Sequence, residues 1–296
     1  MENPKLDQLR GLSTERRSMD YNWRDCALYA LAVGAGPSEP QYTYEKGMQV
    51  LPTFGVTPYW GTINVQPRLP RPMSVPVLVE ELLQPDKSYV NLDYEFFYHR
   101  PIPAVKGTFL YQDVLKELYD RGEGRGMAVQ SELEVFDEAG SLLCTNRCTT
   151  LFPSLGGYGG HSQPRRASLI PNRAPDIVVL DHIGPAQHLL YRLTGDTNLV
   201  HVDPATARSR GLDGPIVHDL CAFGYACRLA IGKLFPGHPE RLRRMYAAMR
   251  SVLYPDTPVA LHLWSIGEDK AAFRLIDERT DRAILDRGEL EWDNDQ

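Results

Sequence analysis

The sequence predicts an α+β fold in two units of similar length, and three observations carry that expectation. A stretch rich in glycine, proline and arginine, Leu155-Gly-Gly-Tyr-Gly-Gly-His-Ser-Gln-Pro-Arg-Arg166, falls near the middle of the 296 residues, and such a stretch cannot be the interior of a helix or strand. Downstream of it one long apolar helical pattern is followed by four β-rich segments with turn signals between them, the order of an antiparallel meander laid on a helix. The two sides also echo one another. Leu28-Tyr-Ala-Leu31 matches Leu190-Tyr-Arg-Leu193, and Val135-Phe-Asp-Glu138 matches Leu275-Ile-Asp-Glu278. Each match alone is within chance, whereas their common order points to a duplicated fold. The chain therefore divides into residues 1–154, a linker at 155–175, and residues 176–296.

Taken in order, the first unit carries a short amphipathic helical pattern that ends in Leu28-Tyr-Ala-Leu31, then a proline-rich stretch at 52–76 where a central helix is expected. It closes on a strand-like run at 142–152. The second unit opens on the strand-like Asp176-Ile-Val-Val-Leu-Asp181, followed by a short helix at 185–193 and an irregular stretch at 194–215. An apolar helix at 220–234 stops at Phe235-Pro-Gly, and β-rich segments follow near 244–253, 258–266, 271–277 and 283–291.

With 43% hydrophobic and 24% charged residues, the chain has enough apolar side chain for a large core. No apolar run approaches the ~20 residues that cross a bilayer, and the amino terminus lacks the apolar stretch of a secretory signal. The carboxyl terminus lacks a Ser-Lys-Leu type of address. These features predict a cytoplasmic protein without a membrane partner. A net charge of −6 gives no global basic surface and disfavours nucleic acid. The five cysteines (Cys26, Cys144, Cys148, Cys221 and Cys227) are scattered and odd in number, so they read as small buried hydrophobes rather than a disulfide framework.

The densest polar cluster is Thr194-Gly-Asp-Thr-Asn-Leu-Val-His-Val-Asp-Pro204. A loop with an acid (Asp196), an amide (Asn198) and an imidazole (His201) so close together can aim all three at one point. A carboxylate and a neutral imidazole can hold a water and move its protons. The competing reading is a Gly-Asp-Thr-Asn turn with His201 merely packed, because Asp and Asn favour turns through local hydrogen bonds. The first unit helps decide: extending the Leu-Tyr echo without gaps sets Gly34 against Asp196 and Gly36 against Asn198. Only one copy carries the polar set, as a duplicated fold with one surviving active site would.

These residues, with Gly211-Leu-Asp-Gly-Pro-Ile-Val-His-Asp-Leu-Cys-Ala-Phe-Gly224, resemble the MaoC-like enoyl-CoA hydratases of the hydratase 2 type. The resemblance extends over nearly the whole chain. Arg24-Asp-Cys-Ala-Leu-Tyr-Ala-Leu-Ala-Val-Gly-Ala-Gly36, Leu51-Pro-Thr-Phe-Gly55 and Gly156-Gly-Tyr-Gly-Gly160 look like the amino-terminal half of the two-part members. The resemblance implies a double hot-dog fold, each half a curved antiparallel sheet around a helix, with the first-half helix degenerate. It also implies reversible syn hydration of a trans-2-enoyl thioester to the (3R)-hydroxyacyl thioester. Asp196 and His201 match the family's catalytic pair, Asn198 takes an orienting role, Gly195 is a candidate substrate contact, and no metal or redox cofactor is implied. An acyl-CoA or acyl-carrier thioester is the expected partner, and relatives commonly form homodimers.

The backbone N–H that faces the thioester oxygen in the family falls on Asp219, where relatives carry glycine. Leu199 replaces a usual proline and Ala222 a common threonine. Asp219 reads either as the N-cap of a helix starting at Leu220 or as a carboxylate opposing the enolate. The basic pairs Arg165–Arg166 and Arg243–Arg244 are candidates for the CoA phosphates, although a linker and a solvated turn explain them as well. His218 reads as a supporting residue of the loop and a candidate substrate contact. The departures also keep two rival functions open: a lyase for an unusual or carrier-bound thioester, and a catalytically weak thioester-binding or scaffold subunit. On the hydratase reading the 52–76 stretch, with Tyr59 and Trp60, is expected to line or cover an acyl tunnel.

Overall fold

The computed structural model describes residues 4–9, 11–59, 74–86 and 89–294. Trp60 and the rest of 60–73 lie outside these. The first half runs α1 (Pro4–Asp7), β1 (Arg17–Asn22), α2 (Trp23–Ala32), a buried 3-10 segment Pro52–Tyr59, α3 (Val75–Leu83), β2 (Val90–Tyr98), β3 (Lys106–Asp120), β4 (Met127–Phe136) and β5 (Leu142–Phe152). The second half runs β6 (Ile177–Ile183), α4 (Gln187–Tyr191), α5 (Pro204–Ser209), α6 (Asp219–Leu234), β7 (Leu242–Met249), β8 (Thr257–Ser265), β9 (Lys270–Asp277) and β10 (Arg282–Trp292).

Among the described residues ten strands form one antiparallel sheet in the order β1-β3-β4-β5-β2-β7-β10-β9-β8-β6. Each half has the same internal order, first-third-fourth-fifth-second, which is the duplication that the sequence echoes announce. The halves join edge to edge where β2 pairs with β7, from Asp93 opposite Ala248 to Phe97 opposite Arg244. The second echo falls at the β4–β5 and β9–β10 turns. The first brings Tyr29 of α2 and Tyr191 of α4 together, fully buried, with ring centroids 6.2 Å apart.

Helix α6 lies in the core. Leu220 through Ile231 are all buried, and each large apolar side chain there contributes about 1.5–3 kcal/mol by leaving water. The first half has no equivalent of this length among the described residues. Its place holds the 3-10 segment, whose backbone is served by the sheet: Asn146 Nδ2 donates to the Gly55 carbonyl at 3.0 Å. The structure adds α3, which the proline-rich pattern conceals. Its N-terminus is capped from the sheet by Asp113, whose Oδ2 accepts from Val75 N at 2.7 Å.

Strand alternation separates two faces at the junction. Tyr94, Phe96, Met245, Ala247 and Leu290 point into the core, so Glu95, Arg244, Tyr246 and Glu289 point outward. On that outer face Arg244 bonds Glu95, Glu289 and Glu291. Arg147 bonds Glu95 and Glu132, and Arg166 bonds Glu95 and Glu289 with its guanidinium 3.6 Å from the Tyr246 ring centroid. The network ties the central segment to both halves.

Candidate active site

The loop from α4 to α6 is built by short capped turns rather than the irregular stretch expected at 194–215. Gly195 takes φ +134°, a conformation open to glycine, and the chain reverses there to present Asp196. Asn198 caps a 3-10 turn, Leu199–His201, through Oδ1 accepting from Val200 N. Asp203 caps α5 by accepting from Ala205 N and Thr206 N, with Pro204 at the first helical position. The Asp-Pro pair is the sequence signal for that helix.

Asp196, His201 and His218 come together, all buried, with one ligand-type atom of each within 4.8 Å of the others. Asp196 Oδ1 accepts the Asn198 backbone N–H at 3.0 Å. Asn198 thus orients the carboxylate through its main chain, while its side chain caps the next turn. The Ile216 carbonyl lies 2.9 Å from His201 Nδ1; because a carbonyl only accepts, Nδ1 carries the proton and Nε2 keeps its lone pair. His218 Nε2 lies 4.0 Å from Asp196 Oδ2, and its ring stacks on His201 with centroids 3.6 Å apart and planes 22° from parallel. Rings stacked in this way run their nitrogen lone pairs side by side, whereas a metal needs donors that converge. The set suits proton transfer better than metal binding.

Burial pushes the Asp196 carboxyl up to about 6, helped by the nearby Asp219 charge and opposed by the Asn198 N–H. Burial lowers His201 to about 4, so it is a neutral imidazole at physiological pH. An anionic carboxylate beside a neutral, oriented imidazole is an acid–base pair poised to take and return one proton.

Asp219 is not the helix N-cap. His218 holds that place, and Asp219 is the first residue of α6. Its N–H is therefore one of the helix's free donors, at the positive end of the helix dipole. Burial raises its carboxyl to about 6, and Asn91 of the first half opposes that rise. Nothing in the sequence marks Asn91. It faces inward because β2 slips register between Asn91 and Asp93, and such a bulge turns a residue to the other face.

The arginines expected at CoA phosphates have other partners. Arg166 and Arg244 belong to the outer-face network described above, on the opposite side of the sheet from α6. Arg243 pairs with Asp293 at the end of β10, and Arg165 stays exposed in the linker. The glycine-rich loop does cradle an anion, but an internal one: the Asp120 carboxylate accepts from the N–H groups of Gly122, Gly157 and Gly159. All five cysteines are buried and free.

Residues 167–285 match the family described as MaoC like domain, and residues 19–153 match the MFE-2 hydratase 2 N-terminal domain. The chain is 30% identical over 268 residues to the peroxisomal enoyl-CoA hydratase 2 of Arabidopsis thaliana, covering 83% of this chain and 82% of that protein. It is 29% identical to 3-hydroxyacyl-thioester dehydratase Y of Mycobacterium tuberculosis, covering 95% of this chain and 96% of the relative. The crystal structure of a MaoC-like dehydratase from Phytophthora capsici superposes with a TM-score of 0.85 at 26% identity, over 98% of this chain and 99% of that one. A protein described as a double hot-dog fold superposes over 98% of this chain with a TM-score of 0.60.

Proposed function

The chain belongs to the MaoC-like, hydratase 2 family, and on that premise we propose that it is a hydro-lyase adding water reversibly across a trans-2-enoyl thioester to give the (3R)-3-hydroxyacyl thioester. The observation that carries this reading is the buried Asp196–His201 pair, with His201 Nε2 freed by the Nδ1–H bond to Ile216. In the hydration direction, a water held between Asp196 and His201 Nε2 loses a proton to the pair as its oxygen bonds Cβ. The C=C electrons move to Cα, charge builds on the thioester oxygen, and the pair returns the proton to Cα on the same face. One water is added and nothing is oxidised or reduced, so the thioester's own CoA is the only cofactor the step involves. The Asp219 N–H at the start of α6 is the donor for the developing oxyanion. On this reading the first half, with a 3-10 segment in place of a long helix, accommodates the acyl chain.

The test follows the loss of enoyl-thioester absorbance with crotonyl-CoA and longer trans-2-enoyl-CoAs, and then offers the product to a (3R)-specific and a (3S)-specific hydroxyacyl-CoA dehydrogenase. Turnover captured by the (3R) enzyme alone is expected; (3S) product overturns the stereochemical assignment. The same assay reads protonation. Hydration kcat/KM should rise with pH through about 6 as Asp196 ionises, while His201, neutral above about 4, adds no limb near neutrality. The charge of Asp219 is among the influences that raise Asp196. Asp219→Gly removes a charge that raises Asp196, so the midpoint should move to lower pH, and an unmoved midpoint rules out that coupling.

We also read the protein as a cytoplasmic homodimer. Support for association comes from edge strand β6, where Val178 and Leu180 are 49% and 71% exposed, an apolar strip beside unpaired backbone groups. Among the described residues no helix is long and apolar enough to cross a membrane.

A further inference from the structure

We propose that Gln187 is a positioning residue: by fixing α4 on α2 of the first half, it sets Asp196 relative to His201. The inference deepens the hydratase reading and rests on it for the role of that pair.

The two members of the pair hang from different elements. Asp196 follows α4 through a tight connection, in which Thr194 Oγ1 donates to the Tyr191 carbonyl at 2.8 Å and Gly195 N to the Arg192 carbonyl at 3.1 Å. His201 is held at the approach to α6, by the Ile216 carbonyl and by its stack on His218, the N-cap of that helix. The geometry of the pair therefore depends on how α4 sits relative to α6.

Both helices are seated on the carboxyl end of α2, whose last carbonyls take donors from second-half side chains. Gln187 Nε2 donates to Leu31 O at 2.8 Å and to Ala32 O at 2.6 Å. Cys221 Sγ lies 3.3 Å from Ala32 O, and Arg228 Nε donates to Val33 O at 2.8 Å. The seat of α6 is secured without Gln187. Arg228 also pairs with Glu39 and Asp181, and a Cβ built at Gly224 would lie 2.4 Å from the Val33 side chain, so α2 and α6 are in direct contact. Losing the two Gln187 bonds leaves α6 in place and loosens α4 alone.

Little else fixes α4. A helix of five residues is far too short to hold its own orientation. It exposes Leu189 and buries His188 and Tyr191. The Tyr191 ring packs on Tyr29 of α2 and on His218, with centroids 6.2 Å and 4.8 Å away. Apolar packing is non-directional, so it keeps the helix close while leaving it free to slide and turn. Two hydrogen bonds from one amide to consecutive carbonyls are directional and fix both.

Gln187→Met keeps the reach of the side chain and removes both donors. Because a misplacement of about 1 Å can cost about a hundredfold in rate, kcat with crotonyl-CoA should fall about ten- to a hundredfold. KM should stay within about threefold, the split expected when transition-state geometry rather than binding is lost, and melting should show a folded protein. Gln187→Lys returns a donor to the same carbonyls, where a cation at a helix C-terminus is favoured, and should recover most of the loss. A readout independent of turnover is the His201 imidazole resonance, assigned by its disappearance in His201→Ala. It should shift in Gln187→Met and move back in Gln187→Lys. A Gln187→Met protein that keeps kcat within about twofold, one that fails to fold, or a loss that Gln187→Lys does not relieve overturns the inference. A parent that hydrates no enoyl thioester overturns the hydratase reading instead; the resonance then decides the positioning role, which fails if the signal does not move.

Discussion

Asp196→Asn should lower hydration kcat/KM by about a thousandfold or more, and His201→Ala by about a hundred- to ten-thousandfold, the usual worth of a positioned proton-transfer group. The asparagine keeps the shape of the side chain and can still accept the Asn198 N–H through its amide oxygen, so the loop survives. It cannot take a proton from water. His201 is held by a backbone carbonyl rather than by another side chain, so truncation removes the base without stranding a charged partner. Thermal melting should therefore show a folded protein in both variants. If either folded variant keeps activity within tenfold of the parent, the assignment of the pair fails.

Asp196, Asn198 and His201 are legible in the sequence because a short loop delivers all three, and local chain geometry is what sequence spacing encodes best. The order of the β-rich segments and the stop at Phe235-Pro-Gly are legible for the same reason. What the spacing cannot carry is any contact made across the sheet. Asn91 turns inward only through a register slip in β2, and the Arg166–Glu95–Glu289 cluster joins three segments distant in sequence. A basic pair in a glycine-rich stretch therefore reads as a phosphate site, although one member, Arg166, faces the sheet's own carboxylates. Helix α3 is hidden for a related reason: its cap, Asp113, comes from a strand 38 residues away, and only local caps are visible in sequence.

The ungapped echo that pairs Gly34 with Asp196 yields the prediction with the largest effect on stability. Both positions follow the short helix of their half, but they meet different surroundings. Gly34 has φ +85°, and a Cβ built there would lie 2.3 Å from the ring of Tyr225 on α6, a side chain 1% exposed. The first-half loop has given its site to packing against the second half's helix, so a side chain of any kind is excluded, catalytic or not. Gly34→Ala should cost about 2–5 kcal/mol, combining backbone strain with overpacking of a closed core. Tyr225→Ala opens a cavity and is destabilising by itself, yet it removes the atoms that the added methyl group would strike. The double variant should then be less destabilised than the sum of the two singles, by about 1–3 kcal/mol of coupling in chemical denaturation. Additivity within about 0.5 kcal/mol would mean that Tyr225 does not enforce the glycine. The loss of chemistry from the first half would then need a cause other than its contact with α6.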